Sequence, residues 1–161
     1  MALIGESTAP ADAQKKGVVS GSDWARRLLA TLSASHLRAL VVLLLLSCAA
    51  FAPGFASLQP MDRDEPRFAQ ASKQMLESGD FVDIRFQDEA RHKKPVGIYW
   101  LQSAVVAGAE ALGVENARTT IAFYRIPSFL GAVATVLLTY WAALAFVSPG
   151  GALLAGAFMA A

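Results

Sequence analysis

Between Asp62 and Phe68 the chain reads Asp-Arg-Asp-Glu-Pro-Arg-Phe, three acids and two arginines around one proline, directly after an apolar run. Charge that dense at the edge of a greasy segment suits chemistry at a membrane surface. Asp64 and Glu65 are the candidate acids, because a carboxylate can activate an attacking group or hold a divalent cation. Arg67, and Lys94 in the basic segment Arg91-His92-Lys93-Lys94-Pro95, are candidate cations for a phosphate that leaves with its charge. An aromatic pair, Tyr99-Trp100, follows shortly after. The plain alternative is that a loop in water is simply charged. His92, beside three basic residues, is expected to be solvated rather than a metal ligand.

Position along the chain gives these residues their setting. Pro66 is tolerated in the first turn of a helix, where the N–H it lacks has no partner anyway, and Asp64 is a good capping type two residues earlier. Both acids are therefore expected where a helix begins. Phe68, Ala71, Met75 and Leu76 recur at helical spacing up to Gly79, which predicts an amphipathic helix over about 64–78. Phe81 to Phe86 alternates apolar and charged residues, the pattern of a short half-buried strand, and Gln87 to Lys94 reads as a polar loop.

The elements that must carry this loop are apolar. The chain has 161 residues, 55% of them hydrophobic, a composition that points to a membrane protein. Charge is segregated: residues 62–94 carry 15 charged side chains, whereas after Ala117 only Arg118 and Arg125 remain. A first span is expected over 39–58, with Pro53-Gly54 marking a kink or early end. A secretory signal is the competing reading of that run, disfavoured because the run starts some forty residues in and has spanning length. Lys15, Lys16, Arg26, Arg27 and Arg38 precede it, so the tail 1–36 is expected on the cytoplasmic side, partly disordered, with an amphipathic stretch from Asp23 to Leu37.

Residues 59–120 then form the outer loop. Val96 to Leu112 is marginal for a span in length and polarity, and Tyr99 and Trp100 prefer the interface, so a helix lying on the outer surface is expected over 96–112. A short true span is the alternative there. The second span falls within 121–147, where Ile126 to Val147 contains no charge. Gly150 to Ala161 begins a third and stops without a polar flank, which leads to the expectation of an amino-terminal piece of a longer protein. The single Cys48 offers neither a disulfide framework nor a CxxC ligand set.

Four segments in order carry a family resemblance: Asp64-Glu65-Pro66-Arg67-Phe68-Ala69; Met75-Leu76-Glu77-Ser78-Gly79-Asp80-Phe81-Val82; Lys94-Pro95 with Tyr99-Trp100-Leu101-Gln102; and Arg125-Ile126-Pro127-Ser128. Together they resemble the amino-terminal part of the aminoarabinose-transferase-like glycosyltransferases, relatives of the protein O-mannosyltransferases. The resemblance implies an all-α, multispanning membrane architecture of the GT-C type in the bacterial inner membrane. It implies transfer of a sugar from a polyprenyl-phosphate carrier to a periplasmic acceptor such as lipid A or another glycan or protein, with no nucleic acid involved. Asp64 would be the catalytic acid with Glu65 beside it, and Arg67, Lys94 and Tyr99 would meet the carrier. Family members often show an aromatic-acid pair before Lys-Pro where this chain has His92-Lys93, so an acidic metal ligand is missing there. The competing function is a non-enzymatic membrane module whose charged loop binds a partner or anionic headgroups.

Overall fold

The structure is a computed structural model that describes residues 21–60, 62–92 and 94–161. Most of the expected tail therefore lies outside the described residues. Those described form six α-helices and one small hairpin: α1 Gly21–Leu32, α2 His36–Phe51, α3 Asp64–Ser78, β1 Arg85–Phe86, β2 Glu89–Ala90, α4 Gly97–Ala111, α5 Ile121–Ala143 and α6 Pro149–Ala160. A short 3-10 turn, Ala117–Thr119, precedes α5.

Helices α2, α5 and α6 pack side by side around Ala39, Leu43, Val136, Tyr140, Ala152 and Leu153. Gly156 makes that packing close: a Cβ there would lie 2.8 Å from the buried Leu43 Cδ1. Two polar clasps fix the direction of α5 against α2. Near the start of α2, His36 Nδ1 and the Tyr140 hydroxyl share a 2.8 Å hydrogen bond, whereas beyond its end Arg125 reaches the carbonyls of Phe55 and Leu58. So α2 and α5 run antiparallel.

Among the described residues, α5 alone is long and apolar enough by itself to cross a membrane. At 1.5 Å per residue its 23 residues reach roughly 34 Å, against ~30 Å of hydrocarbon. It begins at Ile121 and ends at Ala143, so the uncharged residues up to Val147 contribute a turn rather than helix. The first expected span is shorter than the sequence suggests. Helix α2 stops at Phe51 because Pro53 lacks an N–H and crowds the preceding turn, and Gly54 at φ +79° reverses the chain. Residues 52–58 are turns, not the end of a helix. On the other side, Ser35 in extended backbone breaks α1 from α2, and the two meet at 105°.

The rest of the fold is built on α3 and α4. Ala71, Met75, Ile84 and Tyr99 form one buried cluster, and Val106, Ala109, Ala117 and Tyr124 a second that joins α4 to α5. Helix α3 ends at Gly79, φ +72°, whose N–H donates to the Met75 carbonyl at 3.0 Å. Glu110 and Arg118, joined through two of the three guanidinium nitrogens, close the loop after α4. The expected strand over Phe81–Phe86 is reduced to Arg85–Phe86, paired antiparallel with Glu89–Ala90 in what had read as loop. Asp80 is the reason: its Oδ1 accepts from the N–H groups of Val82 at 2.9 Å and Asp83 at 3.0 Å, a local turn that competes with the ladder. Val82 is left 84% exposed, against the expected alternation.

Candidate functional site

Asp64 and Glu65 are the first two residues of α3, where carboxylates are favoured by the helix dipole. Asp64 does not cap the helix, contrary to expectation: Arg63 occupies the cap position in helical backbone, and no side chain accepts a capping hydrogen bond. The first-turn proline does what was expected of it. Two neighbouring acids then meet opposite fates.

Glu65 is fully engaged. Arg125 Nε donates to its Oε1 and Arg125 Nη2 to its Oε2, the second bond at 3.1 Å. The same guanidinium donates from Nη1 to the Phe55 carbonyl at 2.7 Å and the Leu58 carbonyl at 2.8 Å. A carboxylate forked to an arginine in this way is a poor base, since taking a proton would break two charge-assisted bonds. Of the two candidate acids, Glu65 is therefore the one less available to take a proton.

Asp64 keeps its carboxylate available. Its Oδ1 lies 3.8 Å from Arg67 Nη1 and 3.9 Å from Arg91 Nη2, too far for a hydrogen bond yet close enough to feel both charges. The side chain is 45% exposed. The two arginines are held on aromatic rings: Arg67 lies 5.9 Å from the Phe86 centroid and Arg91 lies 5.4 Å from that of Phe68.

Tyr99 is not a surface contact for a carrier. Its ring is completely buried against Phe68, with centroids 5.2 Å apart, because helical spacing on α4 turns it into the cluster under α3. Its hydroxyl instead accepts from Arg91 Nε at 3.1 Å. Lys94 is exposed, and among the described residues no carboxylate comes within ion-pair distance of it. It is not drawn into the cluster. His92 is exposed but spoken for, with Nε2 3.0 Å from Asp83 Oδ1. Arg85 foremost, then His92, holds the Asp83 carboxyl below its ordinary range. Among the described residues no three His, Cys, Asp or Glu side chains are grouped to hold a metal.

A cleft of about 330 Å³ opens between α3, α4 and α5, lined by Asp62, Asp64, Glu65, Gln102, Arg125 and Ser128 among others. Gln102, in its depth, accepts from Ser72 Oγ at 2.7 Å and donates to the Tyr124 carbonyl at 2.9 Å, so three helices are tied beneath the acids. A smaller hollow of about 200 Å³ between Arg67, Phe86, Glu89 and Arg91 lies on the guanidinium side. No family model, curated protein or solved structure matches this chain. What the site can do follows from its own geometry: the accessible carboxylates of Asp62 and Asp64 line a cleft, and two guanidiniums lie just under 4 Å from Asp64.

Arg91 and Arg125 are the site residues that sequence reasoning missed. Arg125 carried a signal, being the last charge before an uncharged run, where a cation without a partner would be costly. Arg91 carried none, because nothing distinguishes it in sequence from Lys93 and Lys94.

Proposed function

We propose that this chain is the amino-terminal part of an inner-membrane glycosyltransferase that moves a sugar from a polyprenyl-phosphate carrier to an acceptor such as lipid A or another glycan or protein. Asp64 activates the acceptor. The observation that carries the proposal is the contrast within the pair: Glu65 is forked to Arg125, while among the described residues the Asp64 carboxylate has no hydrogen-bond partner and lies just under 4 Å from two guanidiniums. The order of the motifs along the chain supports the choice of reaction class.

The chemistry fits these parts. Removing a proton from an attacking hydroxyl needs a carboxylate that is not already committed. Departure of a lipid phosphate needs positive charge nearby, for which Arg67 lies over Phe86 and Lys94 is exposed. A chain whose spanning helices are α2, α5 and α6 would put α3 and α4 together on the outer face and α1 on the inner, with the amino terminus cytoplasmic. Support comes from the side chains of α5, where Leu130, Leu138 and Trp141 are 58%, 61% and 72% exposed. Exposed apolar surface on a helix of that length is better matched by hydrocarbon than by water.

The test is transfer itself. Because the fragment by itself is expected to be inactive, membranes containing the full-length parent are incubated with radiolabelled polyprenyl-phosphate sugars, and label is sought in lipid A, glycan and protein fractions. Transfer above that of protein-free membranes is expected for one sugar. Lack of transfer with every sugar, from membranes in which the protein is inserted, would leave the outer loop a binding module.

A further inference from the structure

At the opposite end of the bundle from the acids, α1 crosses the starts of α2 and α6. Its seat is close, since Leu29 Cδ2 lies 3.4 Å from the position a Cβ on Gly150 would take. Beneath it a groove of about 430 Å³ opens, lined by Trp24, Leu28, Val42, Leu153 and Ala157 with one charged side chain, Arg26. The groove runs down as well as along. Val42 is six residues into α2 and Ala157 eight into α6, so the lining extends roughly 9–12 Å below the level of α1. Helix α1 turns 105° from α2, the angle of a helix lying in the plane of a bilayer that α2 enters. Arg26 and Arg27 are exposed there, and Trp24 is 62% exposed.

We infer that this groove is a binding site for one anionic phospholipid of the leaflet that α1 lies in, an acyl chain filling the apolar cleft and the phosphate meeting Arg26. Two complementarities select that occupant. An apolar slot that begins at headgroup level and descends about 10 Å matches the upper part of an acyl chain. A cation at its mouth matches a headgroup of net negative charge and makes an uncharged lipid the poorer fit. The bound lipid would splint α1 to α2 and α6, which the short break at Ser33-Ala34-Ser35 otherwise leaves joined by little more than Leu29 and Leu32. The inference rests on the membrane placement proposed above and not on glycosyl transfer.

The experiment uses the full chain in vesicles of phosphatidylcholine and phosphatidylglycerol, with either lipid brominated on its acyl chains in turn. Trp100→Phe with Trp141→Phe leaves Trp24 as the only tryptophan, and Trp24→Phe with Trp100→Phe leaves Trp141. Trp141, exposed on α5, is expected to be quenched equally by both lipids, which reports insertion. Trp24 is expected to be quenched at roughly fivefold lower mole fraction of the brominated anionic lipid, the scale of one basic side chain at an anionic surface. Arg26→Gln should abolish that preference, Arg26→Lys should keep it, and Arg27→Gln, which alters a charge outside the groove, should keep most of it. Equal quenching of Trp24 by both lipids, loss of preference in both glutamine variants alike, or no quenching of Trp24 while Trp141 is quenched would each overturn the lipid site. Absence of quenching at Trp141 would overturn the membrane placement instead.

Discussion

Arg125 joins Glu65 across 60 positions of sequence through two guanidinium nitrogens, and its third nitrogen donates to the Phe55 and Leu58 carbonyls after α2. One side chain thus fastens the end of α2, the start of α3 and the start of α5 to each other. Asp64 immediately precedes Glu65 in the chain, so the acid proposed to react is positioned by the pairing of its neighbour.

Glu65→Gln should therefore lower stability more than its surface position suggests. It removes one charge-assisted bond and the ionic part of another, about 1–3 kcal/mol for hydrogen bonds to a charged group. Arg125→Met should cost more, since it also strands two backbone carbonyls. Thermal melts in detergent check both, and a Glu65→Gln protein that melts with the wild type would remove the clasp from the account.

The orientation proposed above is tested with topology reporters. A reporter active only in the periplasm should be active when fused after Gly79 and inactive when fused after Ser22. In a background with Cys48 replaced, a cysteine at Glu115 should react with an impermeant thiol reagent from outside. The reverse labelling pattern would turn the bundle over and place the acids inside.

Acid should loosen the turn that precedes the hairpin. Backbone N–H groups of Val82, then Asp83, hold the Asp80 carboxyl below its ordinary 3.8, and Arg85, then His92, do so for Asp83. A carboxyl depressed in the folded state adds stability above its unfolded pKa and loses it as pH falls through the folded value. Carbon-detected titration should place both midpoints below 3.8, and Arg85→Gln should raise that of Asp83. Midpoints at or above that value would contradict the pairing.

Much of the helical layout was legible because its signals are local. Gly79 stops α3 through its own backbone freedom, and the apolar stripe of Phe68, Ala71 and Met75 marks the face that meets α4. The early end of α2 was legible in Pro53-Gly54, though the expected span ran past it. The site was legible only in part. Nothing local distinguishes Asp64 from Glu65; the distinction comes from Arg125, brought to α3 by the packing of α5. Tyr99 was misread for the same reason, since its aromatic pairing with Trp100 suggested an interface while the turn of α4 buries one and exposes the other. The strand expected at Phe81 failed to an aspartate whose side chain competes for the backbone two residues on.

The central claim is the division of labour between Asp64 and Glu65, and transfer kinetics in membranes containing the full-length parent test it most directly. Asp64→Asn keeps the shape of the side chain and removes the base, so turnover should fall by at least ~10²-fold while the melting temperature stays that of the wild type. Glu65→Gln should lose stability, and retain most of its turnover at temperatures where it remains folded. Near-normal turnover in Asp64→Asn, with Glu65→Gln folded yet inactive, would contradict the assignment and give the chemistry to the other acid.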